Sequence, residues 1–375
     1  MTVEISIRSL LEVLASKKGS DLHLTVGVPP MVRVDGTLLE LEGYPALTPL
    51  QIELVAKDLV NAPGKWETLT TQMEVDFSFG IEGIGRFRVN AYHQRGSLAM
   101  AIRLIPYEPW PIRSLGLPQV LEDLILKPQG FILVTGPTGS GKSTTLASMI
   151  DTVNQSKSVH IVTIEDPIEY LHRHRRSVVN QREIGQDSVS FQRALRSVLR
   201  EDPDVVLIGE MRDLESIEAA LHISETGHMV FSTLHTNSAV QTINRIIDVF
   251  PPHQQAQVRT QLSFVLDAVL CQRLLPKVGG GRVMVYEFLV ATPAVRNLIR
   301  EGKAHQIYSQ MQMGQERTRM VTMSQTLAEA FAKGDISEED ALYAAPEAEE
   351  FYRALQVVKN VKNNGPLLRG RPSLT

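Results

Sequence analysis

A chain of 375 residues exceeds what one ordinary hydrophobic core accommodates and predicts two or three domains of about 150 residues each. With 43% hydrophobic and 21% charged residues it reads as globular, and a net charge of −4 with a sequence pI of 6.2 gives no global attraction to nucleic acid. The single cysteine, Cys271, excludes a disulfide framework and any multi-cysteine zinc site, fits a reducing cytosol, and reads as a small buried hydrophobe.

The opening "MTVEISIRSLLEVLASKKGSD" has no signal-peptide core and places Ile7, Leu10, Leu11 and Leu14 on one helical face. No apolar run approaches the roughly 18 residues of a membrane span, so any membrane contact is expected to be peripheral. The runs "DLHLTV" and "MVRVDG", broken by "GVPP", and then "EVDFSFG", "GRFRVNAYH" and "SLAMAIRLI", separated by glycine-containing turns, predict a small mixed domain with an antiparallel sheet over residues 1–105. Residues 106–118 carry four prolines in thirteen positions and are expected to link it to an α/β domain over residues 119–360. There "FILVT", "VHIVTIE", "DVVLIGE" and "MVFSTLH" alternate with helical stretches, the pattern of a largely parallel sheet covered by helices. Beyond residue 240 helical patterns dominate, and the polar, breaker-rich residues 361–375 are expected to be disordered.

Each of the four apolar runs ends in polar or glycine residues, and in such sheets ligands bind beyond the carboxyl ends of the strands. After the first comes "GPTGSGKSTT". Gly136, Gly141, Lys142 and Ser143 satisfy G-x-x-x-x-G-K-[ST] between a strand and a helix, so Gly136, Pro137, Thr138, Gly139, Ser140, Gly141, Lys142, Ser143 and Thr144 are the expected phosphate cradle for ATP. Backbone N–H groups wrap the phosphates, Lys142 neutralises the β and γ oxygens, and Ser143 ligates Mg2+.

The third run ends in "VLIGEMRD": Gly209 takes the place of the usual aspartate and Glu210 follows, a carboxylate able to hold the magnesium through water or to orient the attacking water. Its plainer alternative is a helix-capping acid. Glu165 and Asp166 in "TIEDPIEY" form a second acidic pair, with Asp166 a further candidate for the metal or a mere turn former before Pro167. His235, after the fourth run, is a candidate γ-phosphate sensor. His228, before that run, is as readily structural as sensory. Arg88 and Arg103 lie fifteen positions apart on strands of the first domain, where a solvated face is the simpler reading. The run "HRHRR", His172 to Arg176, reads first as solvated surface and second as a docking surface or pore lining.

These segments together resemble the secretion ATPases of the type II and type IV pilus superfamily. "GPTGSGKSTT", "TIEDPIE", "VLIGEMRD" and "ETGHMVFSTLHT" are similar, in order and spacing, to its Walker A, Asp box, atypical Walker B and His box. The resemblance runs from about residue 5 to residue 345. Within the superfamily, "GSDLHL", "VNQREIG", "LREDPDVVLIGEMRD", "GGGR" and "TPAVRNLIRE" resemble the PilT-like retraction ATPases of twitching motility. The resemblance implies a PAS-like N-terminal domain, a RecA-like ATPase domain with a helical C-terminal region, a cytoplasmic homohexamer with ATP bound where the two domains meet, and a pilus platform protein of the inner membrane as partner. It also implies that Arg88 and Arg103 reach the γ-phosphate. Of the two carboxylates, Glu210 is the favoured principal catalytic group with Glu165 assisting, and which of them activates the water stays open. Assembly ATPases insert a four-cysteine zinc subdomain after "QRL". Here "CQRLLPKVGGGRVMVYEF" runs on without one, which favours a retraction motor and no zinc.

"YHQRGS", "LHRHRRSVVNQRE" and "GQERTRMVTMSQTL" depart from the PilT pattern, and the second is similar to PilU, so an accessory retraction ATPase, or a paralogous one sharing the work, stays open. An assembly or secretion ATPase is the less favoured alternative. A nucleic-acid translocase lacks support in the mild acidity and the absence of a basic, aromatic-interleaved platform. A nucleotide-binding scaffold without turnover would have lost Glu165 and Glu210.

Overall fold

The computed structural model describes residues 6–34, 36–60, 64–105, 109–313 and 318–364, with side chains through residue 360. The chain forms two compact units, Met1–Glu108 with Glu169–Leu171, and Pro109–Ile168 with His172–Thr375.

The first unit opens with α1 (Ile7–Ser16), whose N-terminus is capped by the Ser6 hydroxyl and whose Ile7, Leu10, Leu11 and Leu14 are buried. Strands β1 (Asp21–Leu24), β2 (Met31–Val34) and β3 (Thr37–Glu40) precede α2 (Pro49–Leu59), which starts at a Thr48–Gln51 capping box with proline in its first turn, and α3 (Lys65–Gln72). Then come β4 (Glu74–Ile81), β5 (Gly85–Gln94) and β6 (Ser97–Ile105). The six strands form an antiparallel sheet in the order β3-β2-β1-β6-β5-β4. Leu22, Phe77, Phe87, Val89 and Ile102 alternate inward to make its core. Between β5 and β6 only Arg95 and Gly96 remain, both at positive φ (48° and 76°). A two-residue turn with two positive φ values matches the twist of the flanking strands and fixes their pairing.

The second unit carries a seven-stranded sheet in the order β13-β12-β7-β11-β10-β8-β9. Its strands are β7 (Gly130–Thr135), β8 (His160–Glu165), β9 (Val178–Glu183), β10 (Val205–Ile208), β11 (Met229–Leu234), β12 (Leu266–Pro276) and β13 (Arg282–Val290). All pairings are parallel except that of β13 with β12. The helices in order are α4 (Gln119–Ile125), α5 (Lys142–Ser156), α6 (Phe191–Val198), α7 (Leu214–Glu225), α8 (Ala239–Asp248), α9 (Gln255–Val265), α10 (Pro293–Arg300) and α11 (Ile307–Gln312). Phe131 and Leu133 of β7 face the core shared with α6 to α9, whereas Ile132 and Val134 face the core under α4 and α5. Both faces are covered, so β7, β10 and β11 are apolar at nearly every position, as buried parallel strands are.

Two features depart from the sequence expectation. Beyond residue 240 the chain adds two long strands, β12 and β13, among the helices. β12 is buried on both faces over Leu266–Gln272, so its sequence shows no alternation that separates a strand from a buried helix. Helices Met323–Lys333, Glu338–Ala344 and Ala348–Asn364 then pack around Leu275 and Val285 of this hairpin. The last helix runs through the first four residues of the expected tail, and residues 365–375 lie outside the described residues, as do 106–108 of the expected linker. No helix among the described residues is long and apolar enough to cross a membrane.

Candidate nucleotide-binding active site

Four strands that are scattered in sequence lie side by side as β7-β11-β10-β8, all parallel, so their carboxyl ends share one edge of the sheet. Thr135 pairs with Leu234, which puts Gly136 and His235 next to one another along that edge. Ile208 pairs with Ile164, and the Gly209 N–H donates to the Ile164 carbonyl at 2.9 Å, which brings Glu210 and Glu165 to the same edge.

The loop from Gly136 to Gly141 turns back tightly over the end of β7 and into α5. Gly136 has φ 140°, and a Cβ there would lie 2.3 Å from the Gln272 carbonyl oxygen and 2.7 Å from Ser140 Oγ, so only glycine fits. Gly141 (φ 89°) delivers the chain into α5, whose first residue is Lys142. A fifteen-residue helix directs the positive end of its dipole, and its unbonded N–H groups, at whatever occupies the loop. Lys142 Nζ donates to the carbonyls of Gly136 (2.9 Å) and Pro137 (3.0 Å), which holds the ammonium over the loop. Pro137, Thr138 and Gly139 are exposed at its tip, Ser140 is buried, and Ser143 and Thr144 sit half-buried in the first turn of α5.

The acidic residues differ in setting. Glu165 is buried at the end of β8 and accepts hydrogen bonds from Thr163 Oγ1 (2.7 Å) and Gln181 Nε2 (3.2 Å), a fixed position. Asp166 is exposed, and its charge reaches Arg212. Glu210 is half-buried, with Oε1 3.2 Å from His235 Nε2 and Oε2 accepting from Arg212 at 3.0 Å. Burial opposes its ionisation, but the hydrogen bonds and charge of Arg212 and His235 prevail and hold the carboxyl below its ordinary range. Arg212 was not among the sequence candidates; the signal was an arginine two positions after the acid in "GEMRD". Gly209 stands where an aspartate is usual, and a Cβ there would lie 3.2 Å from the Ile164 carbonyl and 3.4 Å from Glu165 Cα, a tight fit.

A second unanticipated contributor is Gln272 on β12, fully buried beside the loop. Its Nε2 donates to the Ser140 carbonyl at 2.7 Å and its Oε1 accepts from Thr145 Oγ1 at 3.0 Å. In sequence it was one letter of "CQRLL", and only the pairing of β12 with β7 reveals its neighbour. Adjacent Cys271 is buried, accepts from Thr135 Oγ1 and has its thiol pKa pushed up by burial.

Two sequence candidates lie at the opposite edge of this sheet, His228 and the run "HRHRR". His228 precedes β11 at the amino edge of the sheet, a whole strand away from His235, roughly 20 Å at the usual rise. Its ring sits 2.9 Å from the Ile223 carbonyl and 3.1 Å from Thr226 Oγ1, at the open C-terminus of α7, which is the setting of the structural alternative for this residue. The run "HRHRR" also returns to the amino edge. Asn154, fully buried in α5, bonds the Arg173 carbonyl (2.7 Å) and the Arg175 N–H (3.1 Å), and Arg175 pairs with Asp151. Burial pushes the His172 imidazole down to about 4, while Arg173 to Arg176 are exposed. Arg88 and Arg103 belong to the first unit, directly opposite each other on β5 and β6 and both exposed. Arg103 Nε donates to Asp21 Oδ1 at 2.8 Å.

Residues 86–343 match the Type II/IV secretion system protein family. The type IV pilus retractation ATPase PilT of Pseudomonas aeruginosa PAO1 is 47% identical over 347 residues, 92% of this chain and 100% of that protein. The type IV pilus ATPase PilU of the same strain is 39% identical over 347 residues, 92% of each. A crystal structure of the pilus retraction motor PilT with bound ADP superposes with a TM-score of 0.87 at 52% identity, covering 93% of this chain and 100% of that one. A phosphate loop, paired edge carboxylates and a histidine on one sheet edge therefore coincide with similarity along nearly the whole chain, and this chain belongs to the type II/IV secretion system protein family.

Proposed function

We propose that the chain is an ATP-hydrolysing motor that powers retraction of a type IV pilus. The observation that carries this is Glu210, held ionised against His235 and Arg212 on the same sheet edge as the phosphate loop, in a chain 47% identical to a PilT along 92% of its length. A carboxylate kept charged beside the γ-phosphate end of the loop orients the attacking water and accepts its proton. Lys142 neutralises charge on the β and γ oxygens, the N–H groups of Gly136 to Thr144 cradle them, and Glu165 assists Glu210 from its fixed position. His235 carries the state of the γ-phosphate to Glu210 and to α8.

The donor set fits magnesium. Ser143, Glu210 and Asp166 offer hard oxygen only, and among the described residues no three His, Cys, Asp or Glu side chains converge as they would in a protein-only metal cage. Magnesium suits such a site, because it keeps several waters and is held by one or two protein groups together with phosphate oxygens. When bound it would neutralise charge developing between the β and γ oxygens.

In this reading the first unit is a PAS-like domain, the second a RecA-like ATPase domain with C-terminal helices, and the working form a cytoplasmic homohexamer at the inner-membrane base of the pilus. Arg88 and Arg103 would meet the γ-phosphate, and closure around ATP would rotate the domains against a membrane platform protein. The uninterrupted β12–β13 hairpin supports a retraction motor over an assembly ATPase, and the greater identity to PilT than to PilU supports a primary motor over an accessory one. The test is Lys142→Ala at the native locus, read by a count of surface pili and a twitching assay. Abundant pili without twitching are expected. Bare cells would overturn retraction in favour of assembly.

A further inference from the structure

We propose that Gln272 is a positioning residue that sets the direction of the Gly141 N–H in the phosphate loop, and so part of the affinity for the β-phosphate of a nucleoside diphosphate or triphosphate. The proposal rests on the nucleotide-binding reading of the loop.

In a trans peptide the C=O and N–H point in opposite directions. The peptide between Ser140 and Gly141 therefore directs its N–H to one side only while its carbonyl is held on the other. Gln272 Nε2 holds that carbonyl at 2.7 Å. Gly141 lies at φ 89°, a region glycine enters and leaves with little steric resistance, so this peptide could turn over without the brace. Reversal would aim a carbonyl oxygen at the phosphate in place of an N–H, repulsion where attraction is needed.

The direction of the brace is itself fixed. A primary amide can present either its oxygen or its nitrogen to the loop. Thr145 Oγ1 donates to Oε1 at 3.0 Å, which leaves Nε2 for the Ser140 carbonyl. Both side chains are fully buried, so water does not substitute. The backbone carbonyl of the same residue packs against Gly136, within 2.3 Å of where a Cβ would stand. One residue of β12 thus supports both ends of the loop. The next residue, Arg273, donates to the Ala344 carbonyl at 3.2 Å, so the strand carrying the brace is anchored to the C-terminal helices as well.

The test uses the full chain and a fluorescent ADP as probe, with wild type, Gln272→Met and Gln272→Glu. Binding by wild type is the control for the nucleotide reading; failure there would overturn that reading and with it this proposal. Gln272→Met removes both hydrogen bonds at similar volume and is expected to raise the Kd for ADP about tenfold or more. Gln272→Glu keeps the acceptor for Thr145 and loses the donor as a carboxylate, but regains an O–H donor when protonated. Its ADP affinity, divided by that of wild type at each pH, is expected to recover as pH falls from about 8.5 to 5.5, because a buried carboxyl titrates late. A merely structural role would not give recovery with acid. Equal affinity of Gln272→Met and wild type would overturn the proposal, as would a loss in Gln272→Glu that is the same at every pH. Should Gln272→Met fail to fold, the pH dependence of Gln272→Glu decides alone.

Discussion

Arg88 and Arg103 stand directly opposite each other on neighbouring strands, although fifteen residues separate them. The cause is the Arg95–Gly96 turn, which pairs Gln94 with Ser97 and hence Arg88 with Arg103 six steps along the hairpin. Two like charges in direct cross-strand register repel, and the sheet tolerates them because both are exposed and Asp21 takes one. Under the proposed function both arginines are kept for the γ-phosphate. Arg88→Ala and Arg103→Ala are expected to leave ADP affinity within about threefold while lowering ATP turnover by roughly 10³ or more. Steady-state phosphate release with a parallel binding titration checks this, and normal turnover in either variant would make that arginine simple surface.

The ionisation of Glu210 makes a pH prediction. Its partners Arg212 and His235 lower its pKa against the pull of burial. Removing one partner must therefore raise it. In Arg212→Ala the decline of kcat on the acid side is expected to begin at higher pH than in wild type, with the alkaline side unmoved. Glu210→Gln, which cannot ionise, should bind ATP yet hydrolyse it at least about 100-fold more slowly. A pH–kcat profile from about 4.5 to 9 distinguishes these, and an unshifted acid limb in Arg212→Ala would detach the arginine from Glu210.

Gly209 tests how closely the edge is packed. A methyl group there would press on the Ile164 carbonyl and on Glu165 Cα, and the backbone would give by a few tenths of an ångström, carrying Glu210 with it. Gly209→Ala is expected to lower kcat about tenfold with ADP binding unchanged, since small misplacements of a catalytic group are expensive in rate. Wild-type kcat would show that the glycine serves no such spacing.

Arg296 explains part of the "TPAVRNLIRE" segment in structural terms. From α10 it donates to the carbonyls of Ser263 and Phe264 at the end of α9, to Ala291, and to buried Asp267, which Lys127 also approaches. It thus closes one helix end and compensates a buried carboxylate. Arg296→Ala is expected to cost about 2–4 kcal/mol, read as a lower urea midpoint at unchanged slope, with Arg296→Lys intermediate because it keeps charge without the planar fork.

Much of the site was legible in the sequence because its parts are local patterns. The phosphate loop needs glycine at fixed offsets, a lysine at the head of a helix and an apolar strand before it, and all three are contiguous at residues 130–145. The edge positions of Glu165, Glu210 and His235 followed from one rule about the carboxyl ends of parallel strands. The first helix and its buried face followed from spacing alone. What sequence could not separate was His228 from His235: both flank the same apolar run, and only the direction of β11 in the sheet puts one at the phosphate-loop edge and the other beside the C-terminus of α7.

Tertiary structure alone decided the contacts made across long separations. Gln272 lies 132 residues from the Ser140 carbonyl it holds, and Thr145 lies 127 residues from Gln272. Neither distance leaves a periodic trace. β12 shows no strand pattern in the sequence because burial on both faces erases the alternation by which a strand declares itself. The sequence by itself determined which chemistry the chain carries, since residue types at short spacing dictate local backbone and charge. Which side chains hold that chemistry in place was settled only when strands remote in the chain paired, because hydrogen-bond partners in a buried sheet are chosen by register and not by proximity in sequence.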